Sequence, residues 1–105
     1  MAEENYSDIN LILYHQNKLV GVCRPNYIGL LGMRLKTKDL FFPKDSSLEV
    51  EVLGPKKMLM NNIRFPMVVS SNTDKGLGLK FQHYEPELVS LWRLILSRIL
   101  FKNKN

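Results

Sequence analysis

The sequence predicts a mainly β fold, a small six-stranded antiparallel β-barrel followed by a C-terminal α-helix. Two observations support this prediction. Apolar residues alternate with polar ones through most of the chain, which is the pattern of half-buried strands, and turn-forming residues separate the alternating runs. After Pro86 the apolar spacing changes from two to about 3.6 residues, the period of a helix that packs on one side.

The first two strands are predicted to form a hairpin. Leu11 and Leu13 alternate with polar neighbours, the turn at residues 16–18 follows, and the apolar run at residues 19–23 returns. A shift of one residue would expose a whole apolar face of a strand, so the register determines which side chains are buried. The side chains expected to point into the barrel are Leu11, Leu13, Val22, Leu35, Val50, Val52, Val69, Leu79 and Phe81.

The third and fourth predicted strands carry opposite charges on their outer faces. In the third strand Arg34 and Lys36 alternate with apolar residues, and in the fourth strand Glu49 and Glu51 do so. If the two strands lie near each other, these outer faces complement each other in charge. A basic strand face is otherwise a solvated surface or an anion-binding patch.

The fifth predicted strand extends from residue 58 to residue 69. Pro66 interrupts it and should mark an edge or a bulge, because proline cannot donate to a strand ladder. Met58, Met60 and Met67 are expected to fill the core. The alternative is an adaptable contact surface, since methionine side chains are flexible and polarisable.

A strong turn signal at residues 72–76 leads into the sixth strand, and the helix follows. Pro86 suits a first helical position, and Glu85 and Glu87 suit the positive end of the helix dipole. The residues that share one helical face, and are therefore expected to cover the barrel, are Leu88, Leu91, Trp92, Ile95 and Ile99.

Two large apolar residues of the helix, Leu94 and Phe101, fall on its far side. They lie seven positions apart and are flanked by Arg98. This arrangement predicts a docking stripe for an amphipathic or acidic partner. The alternative is that Leu94 is half exposed and Phe101 frays with the end of the chain.

Length and charge narrow the class of protein. The chain has 105 residues and a net charge of +5, with four positive and one negative residue among the last twenty. We expect one domain over 8–101, with a short tail over 1–7 and a basic tail over 102–105. No apolar run reaches the roughly 18 residues of a membrane span, and no secretory signal begins the chain. We therefore expect a cytoplasmic protein without membrane insertion.

Composition also argues against an enzyme or a metal site. Cys23 is the only cysteine, which excludes an intrachain disulfide and a multi-cysteine metal site. His15 and His83 lack metal-ligand spacing with it, and no base partner for a Cys23 nucleophile is identifiable. No catalytic residues, metal or cofactor are predicted. The nearly neutral barrel segments argue against DNA binding, although small barrels with stacking aromatics do bind nucleic acid.

The order of several local strings resembles a PilZ domain, over roughly residues 8–100. Residues 27–35 stand where the family carries a D-x-S-x-x-G turn followed by a strand. Residues 68–71 and 76–81 are similar to the family's last two strands, and residues 85–88 are similar to the opening of its last helix. The resemblance implies the same barrel and a bacterial role in cyclic di-GMP signalling, type IV pilus assembly or motility.

The chain departs from the residues that bind cyclic di-GMP in that family. Tyr27 stands at the Asp position and Gly29 at the Ser position, and only Gly32 is retained. No R-x-x-x-R segment occurs, and Arg24 is the first arginine. Each lost charge-assisted hydrogen bond weakens binding by roughly 1.5–3 kcal/mol. The degenerate ligand positions are Tyr27, Gly29, Gly32, Arg24 and Arg34.

These departures predict a PilZ-like adaptor that binds a protein partner or a second copy of itself rather than the dinucleotide. The alternative is a cyclic di-GMP receptor that uses non-standard residues, with Arg24 and Arg34 as substitute phosphate contacts, or an arginine from a partner chain.

Overall fold

The computed structural model describes residues 9–37, 40–54, 63–83 and 85–104, with side chains of the helix described as far as Ile99. It contains six strands and one helix in the described part of the chain, which confirms the predicted class. The elements are β1 (Asn10–His15), β2 (Lys18–Ile28), β3 (Gly32–Lys36), β4 (Ser47–Leu53), β5 (Arg64–Thr73), β6 (Gly76–Phe81) and α1 (Pro86–Lys104).

The strands form a closed antiparallel barrel in the order β1-β2-β3-β6-β5-β4. β4 pairs back onto β1, with Leu13 opposite Val50 and Leu11 opposite Val52. In this order β3 and β4 lie on opposite sides of the barrel. The expectation that their charged outer faces complement each other is therefore not met.

Two tight connections set the register of the hairpins. Gln16 and Asn17 both have positive φ, at 51° and 65°, as a two-residue hairpin turn requires, and His15 pairs with Lys18 across it. At the second connection Gly76 has a φ of 128°, and a Cβ there would collide with the carbonyl oxygen of Leu35. Glycine is needed at this position because the backbone of β6 approaches β3 so closely.

The predicted core is confirmed at eight of its nine positions, which are at most 3% exposed. Val22 is the exception and was assigned wrongly, since it is 57% exposed. Leu13 pairs with Gly21 and Leu11 pairs with Cys23, so Val22 lies between two inward positions and faces outward. Cys23 takes the core position instead and is buried.

Pro66 lies inside β5, opposite Glu49 of β4, and not at a bulge. The carbonyl oxygen of Pro66 accepts a hydrogen bond from the N–H of Gln82, just past the end of β6. The nitrogen of Pro66 points to the same side of the strand, towards Gln82 beyond the end of β6, so the pairing of β5 with β4 loses no hydrogen bond. The shift in register between β5 and β6 lies further on, between Val69 and Ser71.

The helix closes one end of the barrel through an aromatic cluster. Trp92 packs edge-to-face on Phe65 and Phe81, with ring centroids 5.1 and 5.5 Å apart. Ile95 and Ile99 are buried beside it, and Leu88 and Leu91 pack partly against the core, which confirms the predicted helical face. The backbone helix includes residues 102–104, which the sequence analysis assigned to a tail.

Residues 40–46 pack against the barrel through Leu40 and Phe42. Leu40 packs against Gly21, where a Cβ would meet its methyl carbon at 2.7 Å. The carbonyl oxygen of Phe42 accepts a hydrogen bond of 2.8 Å from the side-chain amide of Asn72, and the ring of Phe42 packs edge-to-face on His15. Met67 is a core residue, as expected, whereas Met58 and Met60 lie outside the described residues.

Candidate functional site

The turn at residues 29–32, called the 29–32 turn below, is fixed by three hydrogen bonds. The N–H of Gly29 donates to the carbonyl oxygen of Gly32 at 2.8 Å. The indole N–H of Trp92 donates to the carbonyl oxygen of Gly29 at 3.0 Å in a buried position, and the N–H of Phe81 donates to the carbonyl oxygen of Leu31 at 3.3 Å. The turn is thus tied both to α1 and to the end of β6.

Gly32 of the 29–32 turn is required by a close backbone contact, whereas Gly29 lies under an exposed side chain. A Cβ at Gly32 would collide with the carbonyl oxygen of Leu79, because β3 and β6 approach closely there. A Cβ at Gly29 would collide with the side chain of Tyr27, whose ring lies over that position although Tyr27 is 58% exposed. Gly32 therefore serves backbone packing, and the tyrosine covers the position where the resembling family carries serine.

Leu30 and Leu31, at the tip of this turn, are 46% and 63% exposed. Between them and α1 lies a concavity of about 370 Å³, which we call the apolar groove. It is lined by Leu30, Leu31, Phe81, Pro86, Val89, Ser90 and Arg93. Leu94, 48% exposed, lines an adjoining concavity further along the helix and extends the apolar surface.

On the other side of the two leucines, a wider concavity of about 770 Å³ crosses the outer face of β3, β6 and β5. We call it the basic groove. Its lining residues are Tyr27, Leu30, Leu31, Gly32, Met33, Arg34, Ser70, Ser71, Gly78, Leu79 and Lys80. The apolar groove and the basic groove therefore meet at Leu30 and Leu31.

Register explains why polar groups converge in the basic groove. Arg34 lies opposite Gly78, and Lys80 lies opposite Gly32, so a residue without a side chain stands beside each cation. The hydroxyls of Ser70 and Ser71 lie over Gly78, within 2.9 Å of where its Cβ would be. Two cations and two hydroxyls thus surround a strip of bare backbone.

Within the described residues, the cations on this side of the barrel form no ion pair with an acidic side chain. Arg24 lies opposite Lys36 in the β2–β3 pair, and the basic side chains of β2, β3 and β6 are all exposed. Among the described residues, the ion pair that forms is between Arg64 and Glu49, on the other side of the barrel. A cross-strand pair of like charges is unfavourable without a counter-charge.

The β1–β4–β5 face is built differently. The guanidinium of Arg64 stacks 3.6 Å from the ring centroid of Tyr14 and donates to the side-chain oxygen of Asn17 at 2.7 Å. The hydroxyl of Tyr14 donates to Glu51 at 2.9 Å. That hydrogen bond, with burial, raises the pKa of Tyr14. The charged side chains described on this face are thus held by contacts within the molecule.

The predicted ligand positions are only partly brought together. Tyr27, Gly29, Gly32 and Arg34 lie together at the 29–32 turn, and Tyr27 pairs with Arg34 across β2 and β3. Arg24 lies further along β2, beside Lys36 and outside the lining of both grooves.

Of the predicted partner-binding stripe, Leu94 and Arg98 are exposed on α1, whereas the side chain of Phe101 lies outside the described residues. Sequence reasoning missed Leu30, Leu31, Lys80 and Arg93. The available signal was the pair of leucines between two glycines, since exposed turns are rarely apolar.

No group of three or more His, Cys, Asp or Glu side chains suited to a metal ion occurs in the described ranges. His15 packs against Phe42, and Cys23 is buried, which raises the pKa of its thiol. No helix in the part of the chain that the structure describes is long and apolar enough to cross a membrane.

Comparison with known proteins shows the fold alone. No family model matches the chain, and no curated protein matches it. The crystal structure of an uncharacterized Legionella protein is similar, with a TM-score of 0.59 and 18% sequence identity over 97% of this chain and 96% of that one.

Proposed function

We propose that this chain is a non-catalytic, PilZ-like adaptor that makes protein–protein contacts in the bacterial cytoplasm. The observation that supports this best is the exposed pair Leu30 and Leu31 on a turn held by Trp92. Full burial of a leucine side chain contributes roughly 1.5–3 kcal/mol. A rigid turn loses little conformational entropy when a partner covers it, which favours binding.

The closed barrel restricts how a partner binds. All six described strands are paired on both sides, so this part of the chain presents no free strand edge. A partner therefore does not add a strand to the sheet, which is a common way to bind extended peptides. Recognition depends instead on side chains, and the large exposed apolar ones beside α1 are Leu30, Leu31 and Leu94.

The proposed adaptor does not bind cyclic di-GMP itself. The PilZ resemblance suggests a role in type IV pilus assembly, motility or cyclic di-GMP-linked signalling. In support of a non-binding member, Gly29 offers no hydroxyl, and the ring of Tyr27 covers its position. The first arginine of the chain, Arg24, lies outside both grooves.

The adaptor role is tested by the double variant Leu30→Ser with Leu31→Ser. The matched control is Leu19→Ser with Val22→Ser, which removes two side chains of similar exposure, 59% and 57%, from β2. Proteins captured from the native host by wild type and control, but not by the turn variant, are the expected result. Equal capture by all three forms, with unchanged folding, would exclude this surface.

The other candidate partner at the 29–32 turn is a second copy of the chain. Sedimentation over a range of concentrations measures self-association in the same variants. Dimerisation that the Leu30→Ser and Leu31→Ser changes abolish would place the dimer contact on the 29–32 turn.

The cyclic di-GMP alternative is supported by the exposed and unpaired guanidinium groups of Arg24 and Arg34 in the described chain. Isothermal calorimetry separates it from the adaptor proposal. We expect no saturable heat. A dissociation constant below about 10 μM, or roughly −7 kcal/mol, would instead favour a receptor, and Arg34→Gln should then abolish binding.

A further inference from the structure

The surface around the 29–32 turn combines apolar contact area with charge of one sign. From this combination we infer that the partner presents an acidic, amphipathic peptide segment to it. The inference rests on the adaptor function proposed above, because it assigns the chemistry of the partner at the same surface.

The positions of the two grooves determine where the apolar and the acidic residues of the segment lie. The apolar groove lies between the 29–32 turn and α1, and the basic groove begins on the other side of Leu30 and Leu31. A segment that crosses the two leucines places a large apolar side chain against α1. Its next residues then lie over Arg34 and Lys80.

The charges on both sides of the crossing favour carboxylates. Arg34 and Lys80 form no ion pair with any described residue, and Arg93 lines the apolar groove on the helix side. Aspartate and glutamate accept charge-assisted hydrogen bonds from all three, and the hydroxyls of Ser70 and Ser71 are further donors. In the described chain, Glu85 directly precedes Pro86 of the apolar groove and Glu87 lines the adjoining concavity beside Leu94, and neither lines the two grooves.

The concave shape of this surface favours a peptide over an anionic membrane as the partner. A bilayer is contacted by protruding apolar residues that insert among the lipids. Here the leucines form a wall shared by two hollows, and the apolar groove of about 370 Å³ accepts a partner side chain. Hot spots of protein interfaces are commonly such pockets, filled by one large residue and surrounded by polar contacts.

The test is selection of a displayed library of random peptides on the full chain, followed by fluorescence anisotropy with the enriched peptides. We expect enriched sequences to carry one or two large apolar residues beside aspartate or glutamate. The double variant Arg34→Gln with Lys80→Gln should weaken their binding by about tenfold and reduce its dependence on salt.

The matched control is Arg24→Gln with Lys36→Gln, which removes the same charge from the same sheet but outside both grooves. Neither Arg24 nor Lys36 lines a groove, so this control should change affinity less than the groove variant. An equal loss of peptide affinity in the two variants would show that binding depends on net charge and not on the basic groove, and would overturn the inference.

The leucine and charge variants separate the two proposals. Peptides whose binding depends on Leu30 and Leu31 but not on Arg34 and Lys80, or that are enriched in basic residues, would overturn the acidic partner and leave the adaptor surface standing. No enrichment, or binding that survives Leu30→Ser with Leu31→Ser, would overturn the acidic peptide, and the capture experiment with the same variant then decides whether the adaptor surface stands. Sedimentation with phosphatidylglycerol vesicles completes the test, since leucine-dependent vesicle binding without peptide binding would assign the surface to a membrane.

Discussion

Two opposite faces of the barrel differ in whether their charged side chains are held by contacts with other residues of the chain. On the β1–β4–β5 face, Arg64 contacts Tyr14, Asn17 and Glu49, and Glu51 accepts a hydrogen bond from Tyr14. On the β2–β3–β6 face, the exposed cations form no ion pair within the described part of the chain.

The difference separates charges that support the fold from charges that are available to a partner. A charged side chain held by several contacts within the molecule contributes to folding stability, and its removal leaves other polar groups unpaired. A cation without such contacts contributes little to stability or opposes it, and it remains free to bind. The comparison therefore predicts the size and even the sign of stability changes on the two faces.

The largest change is expected for Glu51→Ala. Glu51 is only 7% exposed, and its loss leaves the hydroxyl of Tyr14 without this acceptor. The free energy of unfolding should fall by about 1–3 kcal/mol, measured by urea denaturation. Glu49→Ala, two residues along the same strand face, is the control and should cost under about 1 kcal/mol because its ion pair is partly exposed. An equal loss in the two variants would contradict the comparison.

A smaller loss is expected for Arg64→Ala. The variant removes the stacking contact with Tyr14, which is worth about 0.5–1 kcal/mol at an exposed site, together with the hydrogen bond to Asn17. We expect a loss of about 1 kcal/mol in thermal or urea unfolding. Arg24→Ala removes the same residue type from the opposite face and should leave stability unchanged or higher; a loss as large as that of Arg64→Ala would argue against the proposed division.

The opposite sign is expected for Lys36→Glu. Lys36 lies directly opposite Arg24, so the change replaces a like-charge pair with an opposite-charge pair. Stability should rise by about 0.2–1 kcal/mol at low salt, and the gain should shrink as salt is added. Lys36→Gln, which removes the repulsion without adding attraction, should give a smaller gain. Destabilisation by both variants would mean that Lys36 has a structural role.

The smallest change in stability is expected for Arg34→Gln with Lys80→Gln, the variant that should most affect peptide binding. Neither side chain forms an ion pair in the described ranges, so unfolding should change by no more than about 0.5 kcal/mol for each substitution. Circular dichroism and urea titration check this result. A loss of several kcal/mol would show that the two cations hold the barrel together.

The parts of the fold that depend on local pattern were predictable from the sequence. Strand alternation placed Leu35 and Val50 in the core, and helical spacing placed Trp92 and Ile95 against the barrel. The predicted burial of Val22 was wrong because both faces of β2 are apolar near it, so the alternation did not indicate which face is buried. The register that decides it comes from the hairpin turn and the irregularity between Leu13 and Tyr14.

The candidate site was less predictable because it depends on which strands pair. Arg34 and Lys80 belong to distant strands, and only the β3–β6 pairing brings them to one groove. The sequence showed two oppositely charged strand faces, but not that β3 and β4 lie on opposite sides of the barrel. Leu30 and Leu31 were likewise visible as residues, yet their exposure follows from how α1 and β6 hold the turn.

The hydrogen bond between Trp92 and Gly29 also gives the protein an optical reporter. Trp92 is the single tryptophan of the chain, it is fully buried, and its indole N–H is bonded directly to the turn that carries the exposed leucines. A buried indole emits at shorter wavelength than one in water, so loss of the helix contact should shift the emission to the red. Events at the 29–32 turn should therefore be readable from intrinsic fluorescence, without any label attached to the surface under study.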